Sequence, residues 1–103
     1  MVNELNDETF AKNIVKGNVV VDFYADWCGP CQLMKPMFEK IASEAKNITF
    51  CKVNVDKCER AAQEHDVRSI PTFVLFKNGK QVDTLVGVVS EADFKKKLKA
   101  VFG

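Results

Sequence analysis

The apolar and polar positions of this chain change period several times over short distances, and each change marks an element. "VNEL", Val2 to Leu5, has the length of an edge strand. Asn6 or Asp7 can cap a helix from about Asp7 to Val15, in which Phe10, Ile14 and Val15 fall at helical spacing and Gly17 supplies the stop. "VVVDFY", Val19 to Tyr24, is a β-branched run without alternation, the pattern of a strand covered on both faces. From Cys28 to about Ala45 the apolar positions Leu33, Met34, Met37, Phe38, Ile41, Ala42 and Ala45 recur at helical spacing, and Pro36 is expected to kink that helix. "NITFCKVNV", Asn47 to Val55, reads as a strand and "CERAAQEH", Cys58 to His65, as a short helix. "TFVLFKNGKQVDTLVG", Thr72 to Gly87, predicts a hairpin about a type I′ turn at Asn78-Gly79. Ser90 then caps a last helix through about Phe102, with Glu91 and Asp93 in its first turn.

The order β-α-β-α-β-α-β-β-α predicts an α/β fold with one mixed sheet and helices on both faces. Strands joined by crossover helices are expected to be parallel, and the final hairpin must be antiparallel. At 103 residues, without repeat or linker, the chain reads as a single domain over 1–103. Fifteen basic and fourteen acidic side chains leave a net charge of +1, which gives no footing for nucleic acid or an anionic membrane. No apolar run approaches the roughly 20 residues of a membrane span, and "MVNELNDETF" has no secretory leader pattern, so a cytoplasmic location is expected. In that compartment four cysteines point to metal binding or redox chemistry rather than a disulfide framework.

"ADWCGPCQ" carries two of them, Cys28 and Cys31, where a central strand's C-terminal end meets a helix N-terminus, the usual place for a site in an open α/β sheet. For zinc the remaining ligand candidates are Cys51, Cys58 and His65, whose wide spacing is unlike the second tight pair of a zinc ribbon. As a structural staple a loop this small stabilises by only about 2 kcal/mol in the chain-entropy model. The redox reading uses more of the sequence. Cys28 is expected at the exposed start of the helix, where free backbone N–H groups and the dipole favour a thiolate by about 0.3 to 2 kcal/mol, or roughly 0.2 to 1.5 pKa units. Cys31 lies one turn on, on the same face and deeper, and is the resolving thiol. Gly29 and Pro30 bring no charge and Pro30 no N–H, so the thiolate gets little extra help and the dithiol is expected to donate electrons.

"VVVDFYADWCGPC", "SIPT" and "FKNGKQVDTLVGVVS" resemble the motifs of the thioredoxin family, in its order and over essentially the whole chain. The resemblance implies a thioredoxin fold, a five-stranded mixed central sheet with four helices on both faces. It implies a general protein disulfide reductase that needs no bound cofactor. Electrons would arrive from NADPH or ferredoxin through a thioredoxin reductase and pass to clients such as ribonucleotide reductase, peroxiredoxins or methionine sulfoxide reductase. A monomer is expected. The alternative, from another class, is a thioredoxin-fold binding subunit or holdase; intact Trp27, Cys28, Cys31, Asp22 and Pro71 argue for chemistry.

Asp22 is the one charge in "VVVDFY", either a solvated strand-end carboxylate or, as the resemblance implies, a buried acid that takes the Cys31 proton. Lys52 is either a solvated strand lysine or the lysine that approaches this aspartate in the family. Pro71 can sit at a strand start on general grounds; the family has a cis proline here, which leaves the Ile70 backbone free to pair with an extended client segment. Trp27, Gly29, Pro30, Ile70, Gly87 and Val88 would then form a flat apolar rim for partner proteins, the Trp27 ring packing through one face. Gln32 departs from the lysine or arginine common in the family and removes a positive charge beside Cys31. Cys51 is expected to be a buried small hydrophobe, Cys58 to be accessible with no bridge to Cys51, and His65 to be a surface residue.

Overall fold

The apolar run that follows Asn18 forms the middle strand of the sheet. A computed structural model describes residues 2–103. In chain order it contains β1 (Val2–Leu5), α1 (Phe10–Ile14), β2 (Asn18–Tyr24), α2 (Gly29–Glu44), β3 (Thr49–Asn54), α3 (Glu59–Glu64), β4 (Thr72–Lys77), β5 (Lys80–Val86) and α4 (Glu91–Phe102). The sheet runs β1-β3-β2-β4-β5. β1 and β2 both lie parallel to β3, while β4 is antiparallel to β2 and β5 to β4. This is the five-stranded mixed sheet with four helices of a thioredoxin fold. Among the described residues no helix is long and apolar enough to cross a membrane.

The lack of alternation in β2 reflects its two covered faces. Val19, Val21 and Phe23 pack with Phe10 and Ile14 of α1 and Ala61 and Ala62 of α3, whereas Val20 packs with Met34, Phe38 and Ile41 of α2 and Phe94 and Leu98 of α4. Val19, Val20 and Val21 have no exposed surface, and each buried valine contributes about 1.5 to 3 kcal/mol by its removal from water. The strand period of two puts Asp22 and Tyr24 on the α2/α4 face with Val20. At the hairpin, Asn78 and Gly79 both have positive φ, 52° and 85°, as a type I′ turn requires. The turn is tied to the one before β2: Gly17 N–H donates to Asn78 Oδ1 and Asn78 N–H to the Gly17 carbonyl, both at 2.9 Å.

The helix ends differ from expectation at one place. The Asn6 side chain does accept from the N–H groups of Glu8 and Thr9, at 2.9 Å each, but residues 7–9 form a turn and α1 begins only at Phe10. Val15, counted as part of the buried stripe, is the C-terminal cap and is exposed. Leu33 is also exposed: the stripe of α2 follows Cys31, Met34, Phe38, Ile41 and Ala42, which leaves residue 33 on the outer face. α2 runs without a break through Pro36, from the N-terminal cap Cys28 to the C-terminal cap Ala45. In α4, Ser90 Oγ accepts from the Asp93 N–H at 3.1 Å, as its capping sequence predicts.

Cys51 is buried as expected, and the apolar surroundings push its thiol up to about 11. Cys58 is buried too, contrary to expectation. The chain turns sharply after β3, with Lys57 and Cys58 N–H groups both donating to the Asn54 carbonyl, and this tucks Cys58 beneath β1 with Sγ 3.7 Å from the Leu5 carbonyl. Burial is the largest cause that raises its pKa, followed by the charge of Asp7. His65 is half-buried rather than a plain surface residue. Its ring lies against Phe10 and Phe76, with centroids 5.1 Å away in both cases, and Nδ1 is 3.2 Å from Gln81 Oε1.

Candidate active site

β2 ends at Tyr24, and five residues later α2 begins, so the segment Ala25 to Cys28 is a tight link from the sheet's centre to a helix N-terminus. Its first residue, Ala25, is fully buried and its carbonyl accepts from Cys28 N–H at 3.2 Å. That bond closes the turn and sets Cys28 as the N-terminal cap of α2. Cys28 and Cys31 are joined in a disulfide with their Cα atoms 5.2 Å apart, the spacing of one helical turn and within the range a disulfide needs. Cys31 N–H donates to Cys28 Sγ at 3.2 Å, so one of the free donors of the helix start is aimed at that sulfur.

The expectation of an exposed Cys28 is not met: both cysteines are 4% exposed. Ala25 packs against the disulfide, with Tyr24 and Ile70 at its margin. What separates the two sulfurs is their neighbours. Cys28 Sγ faces the outer loop and lies 3.8 Å from the Ile70 carbonyl. Cys31 faces inward and lines a cavity of about 80 Å³ with Asp22, Phe38 and Lys52. That space accommodates water, which needs roughly 10 to 15 Å³ of such volume per molecule.

Asp22 belongs to the floor of this cavity. It is 7% exposed, and its Oδ1 has no hydrogen-bond partner. Burial pushes its carboxyl up to about 7, against a smaller lowering by the Lys52 ammonium. Of the two readings left open by the sequence, the solvated strand-end carboxylate is excluded. Lys52 is the register partner of Asp22 across β2 and β3, and its Nζ lies 5.6 Å from the centre of the Tyr24 ring and 3.9 Å from Glu4 Oε1. A carboxyl that titrates near neutrality beside a thiol can exchange a proton with it over the pH range in which cells operate.

Around the disulfide the surface is apolar and open. Trp27 is 72% exposed, with Nε1–H donating to Asp56 Oδ2 at 2.8 Å, which anchors the indole by its polar edge. Gly29, Pro30 and Val88 are exposed, and Ile70 and Gly87 are half-buried. The Ile70–Pro71 peptide bond is cis, and Gly87 N–H donates to the Pro71 carbonyl at 2.8 Å, joining the two loops of the rim. The structure therefore brings together Cys31, Asp22 and Lys52 at the cavity, and sets Cys28, joined to Cys31 by the disulfide, beside Ile70 of the rim. Three further residues at or beside the cavity, Glu4, Tyr24 and Asp26, carry no motif in the sequence; only the parity of β1 and β2 hints that Glu4 and Tyr24 share a face with Asp22. Cys51 and Cys58 lie in the core on the α1/α3 side. Among the described residues no group of three or more His, Cys, Asp or Glu side chains could hold a metal ion.

The thioredoxin family model matches residues 1–100. The thioredoxin of Chlamydia trachomatis serovar D is 44% identical over 88 residues, covering 85% of this chain and 86% of its own. The thioredoxin of Mycoplasmoides gallisepticum is 46% identical over 81 residues, covering 79% and 81%. That of Rickettsia felis is 41% identical over 91 residues, covering 85% and 87%. The fold, a disulfide set at the start of α2 and matches along nearly the whole length agree, and the chain belongs to the thioredoxin family.

Proposed function

We propose that this protein is a general protein disulfide reductase, a thiol-disulfide oxidoreductase working through the Cys28/Cys31 couple. The observation that carries the division of labour is the asymmetry between two equally buried sulfurs: Cys28 at the outward helix cap, Cys31 on the cavity with Asp22. In the reduced protein the helix N-terminus and the Cys31 N–H favour negative charge on Cys28. The Cys28 thiolate attacks one sulfur of a client disulfide; that S–S bond breaks, and the other client sulfur leaves as a thiolate that takes a proton from solvent. Cys31 then gives its proton to the Asp22 carboxylate and attacks Cys28 Sγ. The bond from Cys28 to the client breaks, the client's second sulfur leaves as a thiolate that takes a proton from solvent, Asp22 returns its proton to solvent, and two electrons have moved to the client as the Cys28–Cys31 disulfide forms.

Gly29 and Pro30 supply the neutral turn between the sulfurs, which leaves the couple reducing. Lys52 moderates the acidity of Asp22 by its charge. Trp27, Ile70, Pro71, Gly87 and Val88 form the docking surface, along which an extended client segment lies beside the Ile70 backbone. A family reductase and client proteins are the partners. In finer detail, we infer that the protein acts as a cytoplasmic monomer of one domain over 1–103, and that NADPH or ferredoxin supplies its electrons through a thioredoxin reductase. Ribonucleotide reductase, peroxiredoxins or methionine sulfoxide reductase are its clients.

The test is reduction of insulin disulfides with dithiothreitol as electron source, comparing wild type with a variant carrying serine at both cysteines. Catalysis by wild type alone is expected. Equal rates for the two proteins, with retained binding to unfolded chains, would instead support a holdase on the same fold.

A further inference from the structure

On the α2/α4 face of the sheet, three charged side chains stand in a row across adjacent strands. Glu4 is the register partner of Lys52 between β1 and β3, and Lys52 is that of Asp22 between β3 and β2. The lysine in the middle is not shared evenly. Among the described residues Lys52 Nζ forms an ion pair with Glu4, at 3.9 Å, and none with Asp22. Glu4 is itself held from the other side, because the Tyr24 hydroxyl donates to Glu4 Oε2. The Tyr24 ring also faces the ammonium, 5.6 Å from its centre, close enough for a cation–π attraction. The buried carboxylate thus keeps an unpartnered oxygen next to a lysine whose nearest anion is on the outer strand.

We propose that Glu4, braced by Tyr24, is a positioning residue for the resolving step: it draws the Lys52 ammonium toward the β1 edge and limits how much of that charge reaches Asp22. The proposal rests on the reading of Asp22 as the proton acceptor for Cys31. A lysine fully engaged with Asp22 would stabilise its charged form and weaken it as a base. One held aside leaves the carboxyl dominated by burial, in accord with its displacement to about 7. Besides Lys52, the titratable groups that line the cavity with Asp22 are Tyr24 and Asp26 and, from α2, Cys31, Lys35 and Glu39. Of these, Tyr24 reaches the outer strand through its hydrogen bond to Glu4, and among the described residues the anion paired with Lys52 there is Glu4. The backbones of Glu4 and Asp22 are two strand spacings apart, roughly 9.6 Å, with Lys52 on the strand between them. Under the proposal Glu4 acts through the placement of the Lys52 ammonium, which a Lys52→Met background separates from any direct effect of the Glu4 charge.

The test follows the Asp22 carboxyl by carbon NMR in the oxidised protein, where neither active-site thiol titrates. In Glu4→Gln the midpoint is expected to fall by about 0.5 to 1 pH unit, as Lys52 is released toward Asp22. In a Lys52→Met background the same substitution should produce at most a small part of that fall. A midpoint that stays or rises in Glu4→Gln, or an equal fall with and without Lys52, overturns the proposal. Single-turnover release of the client from the mixed disulfide, measured across pH, separates this from the reading beneath it. If Asp22→Asn releases as fast as wild type, Asp22 is not the base, whereas the NMR midpoints still judge Glu4. If Asp22→Asn is slow, the release profile of Glu4→Gln is expected to move to lower pH by the same amount as its midpoint. Glu4 is exposed, so the variant is expected to fold.

Discussion

Replacing Asp22 by asparagine turns the chemistry of the cavity into a stability measurement. Burial pushes the carboxyl from 3.8 to about 7 in the folded protein, while in the unfolded chain it titrates near its ordinary value of about 3.9. The folded state holds the proton more tightly, so the associated stability is fully present below about pH 4, is lost as pH rises toward 7, and has levelled off above that. Three pH units at about 1.36 kcal/mol each set a ceiling of about 4 kcal/mol on the cost of keeping Asp22 ionised. An amide has nearly the same shape and no charge to desolvate. Its N–H groups, in a place where Oδ1 already lacks a partner, cost about 1 to 3 kcal/mol if unmet. Asp22→Asn is therefore expected to be more stable than wild type by about 1 to 3 kcal/mol at pH 7, with the gap shrinking as pH falls, crossing zero between about pH 4.5 and 6, and reversed by about pH 4, where only the pH-independent cost of the amide remains. Urea unfolding of both oxidised proteins from pH 4 to 8 measures this, and with a slope of about 1 to 3 kcal/mol per molar the midpoints should differ by roughly 1 M at pH 7. A variant less stable than wild type at pH 7, or a gap that does not depend on pH, would refute the reasoning.

Two other substitutions separate packing from docking. Phe38 is 2% exposed, lies within 5.5 Å of the Phe50 and Phe73 ring centres and also lines the cavity; Phe38→Ala is expected to lower stability by about 3 to 5 kcal/mol in denaturant unfolding. Trp27→Ala should change stability little, since the ring is largely exposed, but lower kcat/KM for protein disulfides by roughly tenfold if the indole anchors clients. Turnover of a small-molecule disulfide serves as the control and should fall less.

The central architecture is legible because its signals are local. A β-branched run without alternation, Val19 to Tyr24, marks the doubly covered strand, and Asn78-Gly79 marks the hairpin by its backbone preference alone. The reactive pair is legible for the same reason: Cys28 and Cys31 are one helical turn apart whatever else the chain does. Burial that depends on chain reversal is not. Cys58 looks accessible in the sequence because it comes after the strand, whereas β3 ends at Asn54 and the turn there folds the thiol under β1. His65 looked isolated because its partners, Phe10 and Phe76, come from α1 and β4. Cys28 was expected to be open because helix starts usually are, but Ala25 and Ile70 close around the disulfide. Leu33 and Val15 show a related limit: hydrophobicity placed them in stripes from which their angular position on the helix excludes them. The Glu4–Lys52–Asp22 row exists only because β3 lies between β1 and β2, an order that neighbouring residues in the sequence do not reveal.

The claim on which the mechanism depends is that Cys28 attacks and Cys31 resolves. Each single serine variant, reduced and mixed with a protein disulfide, can be quenched with acid and mapped by mass spectrometry of its peptides. Cys31→Ser is expected to accumulate a mixed disulfide between Cys28 and the client, and Cys28→Ser to form little adduct and to reduce nothing. A stable adduct through Cys31 in Cys28→Ser, with none in Cys31→Ser, would reverse the roles and contradict the account.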